Sequence, residues 1–248
     1  LIDLIFLLII PLSFLAFVLK GVATFGPGIV LVPIGALIVG SKEIVLVIAF
    51  LDLISNANLM KLNGTPLRKS FYLPMVCAMV IGSVLGATIL ILVPVIYFDL
   101  LFGLVLLPLG LWMMLARRSD RALDRNDTIP AKSSKPAVWL STLSGIMGGL
   151  SGITGPVLAW HLGRTYNKVN FRSIMVPLLL ASALTRVFIY SATGSVSLDV
   201  LILVLLAIPG LFLGLRVGNK IFERVSQPWF ARIIGGLVVV SGVKLLAK

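Results

Sequence analysis

The sequence is short of most of what a soluble enzyme uses. Of its 248 residues, 12% are charged, about half the share usual in soluble domains. It has one cysteine, Cys77, and one histidine, His161. A single cysteine excludes an internal disulfide and a cysteine-built metal site, and no cofactor is expected. There is no Walker lysine loop, no HExxH and no nucleophile elbow, which excludes an ATP-driven pump in this chain alone. A membrane-embedded enzyme needs a catalytic pair at one depth. Asp52 with His161 is the only candidate, and its spacing is unpersuasive. Acids are scarce, 9 against 21 basic residues. That excess does not point to nucleic acid, because the basic residues sit in short loops between apolar runs, where they set the orientation of a membrane protein.

What the chain has is hydrocarbon: 59% of residues are hydrophobic and mean hydropathy is +1.12. Continuous apolar runs cover 43–61, 70–94, 97–115, 172–190, 198–215 and 228–246, each close to the ~20 residues that cross ~30 Å of hydrocarbon. Continuous rather than alternating runs exclude a β-barrel. The fold class is all-α, a polytopic membrane protein. Cys77 falls in one of these runs and reads as a small core residue.

The two halves repeat. Gly26-Pro27 matches Gly155-Pro156, and at the same offset the run 43–61 falls on 172–190, with Asn56 opposite Thr185 and Ala57 opposite Arg186. The "GSVLG" of Gly82 and Gly86 matches the "GLFLG" of Gly210 and Gly214. These glycines, four apart, read as sites of close helix approach. The expected organisation is a first repeat 1–116, a polar linker 117–136 and a second repeat 137–248, forming one transmembrane domain.

Each repeat opens with an apolar stretch interrupted by glycines and a Gly-Pro pair, "GVATFGPG" and "LSGITGPV". In the second half the pieces 138–147 and 156–163 are each too short to cross. Either each broken pair crosses once, or it enters and leaves on one side as a re-entrant hairpin. Loop charge separates the two. With single crossings the basic residues divide almost evenly between the faces. With hairpins, one face collects 16 of them and the other keeps Lys42, Lys244 and Lys248. The positive-inside rule selects the hairpins. The expectation is two inverted repeats, each a re-entrant broken-helix hairpin plus three transmembrane helices. Both termini are then extracytoplasmic and the linker cytoplasmic, in the plasma (inner) membrane. A homodimer is possible.

Irregular backbone at membrane depth persists where it is buried in protein or lines a cavity. Inverted repeats with broken helices are a common build of secondary transporters, with the site near the midplane. A half-helix opening at Pro27 or Pro156 has its proline at the favoured first position. Its free N–H groups and positive dipole end suit an anion. The substrate is expected between Gly26, Pro27 and Gly28 on one side and Thr154, Gly155 and Pro156 on the other.

Few polar residues lie deep in the apolar runs. Arg186 is intramembrane, costly, and suited to bidentate binding of an oxyanion. Asp52 is the one acid well inside a run. It reads either as a proton carrier or as the counter-ion of Arg186 or Lys20. Ser55 and Asn56 share its helix face, and Ser182 and Thr185 occupy the similar face of the other repeat; Asn56, Thr154 or Thr185 is expected to orient the bound anion. Lys20 either reaches the anion or snorkels. Thr24, Ser151 and Thr154 lie in the breaks and offer hydroxyls. His161 reads as a packing residue.

Taken with the small-residue segments 82–87 and 210–218 and the closing "FGLVLLPLGLWMML" and "GGLVVVSGVKLL", the two glycine breaks resemble those of the TauE/SafE family of sulfite and organosulfonate exporters and sulfonate permeases. The resemblance covers almost the whole chain. "FGPG" and "TGP" stand where the family has three glycines. It implies export or uptake of small sulfur-containing or carboxylate anions. Uptake against a negative interior would need a coupled cation such as a proton, and a channel is a further alternative.

Overall fold

The computed structural model describes residues 8–62, 69–94, 129–166 and 168–221, with Leu104, Pro108 and Leu111. The described residues form eight helices: α1 Ile9–Ala23, α2 Pro27–Ala36, α3 Ser41–Leu62, α4 Lys69–Leu92, α5 Lys135–Ser151, α6 Pro156–Thr165, α7 Lys168–Ala192 and α8 Leu198–Ile221. Four of them, within α3, α4, α7 and α8, are long and apolar enough to cross a membrane. At 1.5 Å per residue they exceed the ~30 Å hydrocarbon core. The expected runs 97–115 and 228–246 lie outside the described residues apart from the three named above.

The breaks fall where the sequence puts them. Gly26 and Gly155 cap α2 and α6 with φ of 86° and 112°, a region open to glycine, and Pro27 and Pro156 follow within the first turn. The piece before the second break is longer than expected: α5 has 17 residues, against 138–147 from sequence. Its counterpart α1 has 15. Gly145, Gly148 and Gly149 do not interrupt α5, because Gly145 and Gly149 lie against the α4 backbone and Gly148 against the Thr154 side chain.

The paired glycines set the helix packing. Along α4 and α5, Gly82 meets Thr142 and Gly86 meets Ile146, so the two helices run in the same sense. Along α8 and α1, Gly210, Gly214 and Gly218 meet Ile10, Phe14 and Val18 in turn, also in the same sense. At each of these glycines a side chain would collide with backbone of the facing helix, which is the close approach that four-residue glycine spacing permits. In the middle, α3 packs on α7. Asp52 pairs with Arg186, while Leu59 clusters with Val176 and Leu215, so α3 and α7 run in opposite senses. Helix α4 also packs on α7, and α8 on α3. Cys77 is exposed rather than in the core. It lies on the outer side of α4, where a membrane presents apolar surface as readily as a core does.

Candidate functional site

The buried charged residues among the described ones are Lys20, Asp52 and Arg186, and they form one group. Lys20 Nζ donates to Asp52 Oδ1 at 2.7 Å, and Arg186 NH2 donates to Asp52 Oδ2 at 2.9 Å. Each carboxylate oxygen therefore holds a different cation. Arg186 NH1 also donates to the Gly148 carbonyl at 3.3 Å, and its Nε has no hydrogen-bond partner. Lys20 lies in the last turn of α1, where the helix dipole favours a cation. Its ammonium stands 5.8 Å from the centroid of the Phe17 ring, within the range of a cation–π contact.

The triad joins the two breaks. Gly28, at the start of α2, lies against the Gly152 carbonyl at the end of α5, and the Phe25 side chain faces Gly155. The Thr154 side chain sits on Gly148, whose carbonyl receives Arg186. One peptide of α5 thus touches both a break residue and the guanidinium. Gly26, Pro27, Gly28, Thr154, Gly155 and Pro156 are all buried.

Three further side chains here are buried without a hydrogen-bond partner: Thr24 Oγ1, Thr154 Oγ1 and both amide atoms of Asn56. Exposure is 0% at Thr24, 4% at Thr154 and 1% at Asn56. Asn56 follows Asp52 by one helical turn, on the same face of α3. Thr24 is also strained. Its φ is 73°, and it is the one described non-glycine residue with positive φ. For a β-branched residue this is an outlier, of the kind that collects at functional sites.

Other expected participants are engaged elsewhere. Ser151 donates to Met147 O at 2.7 Å and accepts from Ile153 N. Thr185, half-buried, donates to Ala181 O at 2.9 Å. Both hydroxyls satisfy backbone of their own segment. Ser55 donates to Asp52 O, and Ser182 pairs with Ser83 at 2.8 Å. Half-buried His161 lies on α6, its carbonyl receiving the Thr165 hydroxyl. One first-turn donor of α6 is also occupied, since Leu158 N–H bonds to Ser144 Oγ at 3.3 Å. Proline at each first turn supplies no N–H, so fewer backbone donors face the centre than four per helix end.

Sequence reading missed Tyr190, fully buried, whose hydroxyl donates to Gly149 O at 2.6 Å. It also missed the Gly148 carbonyl. A tyrosine one turn beyond Arg186 was a signal available in the sequence; a backbone carbonyl was not.

Residues 9–245 match the model of the family described as sulfite exporter TauE/SafE. No curated protein and no solved structure matches the chain.

Proposed function

Because the chain belongs to the sulfite exporter TauE/SafE family, a family of membrane transporters, we propose that it exports small sulfur-containing anions such as sulfite or short sulfonates. The anion is held where the two helix breaks meet, with Arg186 as its principal charge. The observation that carries this reading is the buried group of Lys20, Asp52 and Arg186, flanked by partnerless Asn56, Thr24 and Thr154. Two cations on one carboxylate, beside unused polar groups at both breaks, is an arrangement that an oxyanion completes. Intramembrane charges mark substrate paths.

The inverted arrangement belongs to the same proposal. Under the repeat, α1 corresponds to α5, α2 to α6, α3 to α7 and α4 to α8. The α1–α8 packing then exchanges with α5–α4, and the α3–α7 packing maps onto itself. Single crossings would set α3 and α7 in the same sense. Their opposite senses favour re-entrant pairs, as does the 16-to-3 division of loop charge. Both termini are then extracytoplasmic in the inner membrane and the linker is cytoplasmic.

Export needs no partner ion. An anion leaving a negative interior gains ~2.3 kcal/mol per charge per 100 mV. Asp52, gripped by two cations, is poorly placed to carry a proton, so proton-coupled uptake finds less support. Every member of the group is at most 5% exposed, so the anion enters only after helices move, as in a carrier. Labelled sulfite, methanesulfonate and acetate in proteoliposomes test this: saturable counterflow of the sulfur anions is expected. An ohmic current without counterflow contradicts it.

A further inference from the structure

The charge of the buried group is odd. Lys20, Asp52 and Arg186, all ionised, sum to one positive charge, and no other buried acid is present among the described residues. The positive ends of α2 and α6 meet the negative ends of α1 and α5 at the same two breaks, so the helix dipoles largely cancel and the triad sets the charge. An uncompensated charge in a low-dielectric interior is costly, and a site built on it favours the ligand that brings the sum to zero. Resting on the anion-carrier reading above, we infer that this site selects anions by charge number. It takes monovalent oxyanions, a sulfonate or the singly charged form of sulfite, in preference to divalent ones, and the Lys20–Asp52–Arg186 count sets that preference.

Four buried groups without partners supply the rest of the recognition. Asn56 brings an amide from α3, Thr24 and Thr154 bring hydroxyls from the two breaks, and Arg186 brings its Nε. Between them they offer the –NH₂, O–H and N–H donors that a three-oxygen sulfonate head accepts. None of the four adds charge, so charge selection falls to the triad alone. Asp52 has a defined part in this. It does not touch the anion as a donor, and it removes one unit from a pair of cations that would otherwise suit a dianion. A site of two cations without Asp52 would favour the doubly charged form of the same chemical group.

Methanesulfonate and sulfate separate the possibilities. They share a tetrahedral sulfur, and differ by a methyl group in place of one charged oxygen. Isothermal titration of the purified full chain measures both. Methanesulfonate is expected to bind about tenfold or more tightly than sulfate, because a second buried charge lacks a counter-charge. Asp52→Asn raises the count to two and shifts the affinity ratio toward sulfate by about tenfold or more. Lys20→Met combined with Asp52→Asn returns the count to one and restores the parent's preference. Sulfate binding as well as or better than methanesulfonate in the parent overturns the inference, as does a ratio that stays constant across the series. In either case the anion-carrier reading survives, since anions still bind. If neither anion binds the parent, both readings fail. The parent comparison needs no variant, so the test stands even where Asp52→Asn does not fold.

Discussion

Replacing Asn56 separates a ligand site from a structural polar cluster. Its amide is 1% exposed and both polar atoms lack a partner. Leaving a buried polar group unpaired costs about 1–3 kcal/mol. Leucine is of similar size and has nothing to satisfy. The Asn56→Leu protein, without anion, should therefore be more stable than the parent by about 1–3 kcal/mol, less a fraction for imperfect fit. In the presence of anion the order reverses. A ligand at 100 times its dissociation constant stabilises by about 2.7 kcal/mol, and the variant should lose most of that gain. Thermal unfolding in detergent, with and without methanesulfonate, reads both terms. The combination of higher melting temperature alone and a smaller anion-induced shift is specific to a binding residue. A purely structural asparagine would lower the melting temperature when removed and leave the shift intact. That result would refute the reasoning.

Thr24→Gly should relieve a left-handed backbone worth about 1–2 kcal/mol, partly offset by glycine's entropy, so the empty protein gains a little stability while anion affinity falls with the lost hydroxyl; unfolding and titration of one sample read both. Gly86→Leu should destabilise the α4–α5 contact by about 1–3 kcal/mol or more, because the new side chain meets Ile146 and Leu150 backbone, whereas Leu85→Ala, at a half-exposed neighbour, should cost little in the same melt. On a Cys77→Ser background, Ser195→Cys should label from outside the cell with an impermeant thiol reagent and Lys132→Cys should not; the opposite pattern contradicts the inverted topology.

Which parts of this were legible in the sequence follows from how local the physics is. The breaks at Gly26-Pro27 and Gly155-Pro156 were legible because φ and the missing N–H are properties of those residues alone. The pairing of Arg186 with Asp52 was legible because an intramembrane charge requires a partner and the runs held one acid away from their ends. Lys20 was ambiguous, since a long stem either snorkels or turns inward. The outcome depended on where α1 lies against α3. The bond that Thr185 makes was not legible, for a different reason. A helical hydroxyl can bond to its own i−4 carbonyl, which leaves no trace in sequence spacing, and Ser182, one turn earlier, turned inward instead. Cys77 showed a further limit. In a membrane protein the lipid face and the core face are equally apolar, so hydrophobicity does not tell them apart.

The central claim is that Arg186 holds the transported anion. Counterflow of labelled methanesulfonate into proteoliposomes loaded with the same anion tests it, with the parent, Arg186→Ala and Arg186→Lys compared at equal amounts of folded protein. The account predicts saturable counterflow in the parent, none with alanine, and little with lysine, which keeps the charge and loses the planar fork. Normal counterflow by Arg186→Ala would contradict it, and would leave the buried arginine as a structural partner of Asp52.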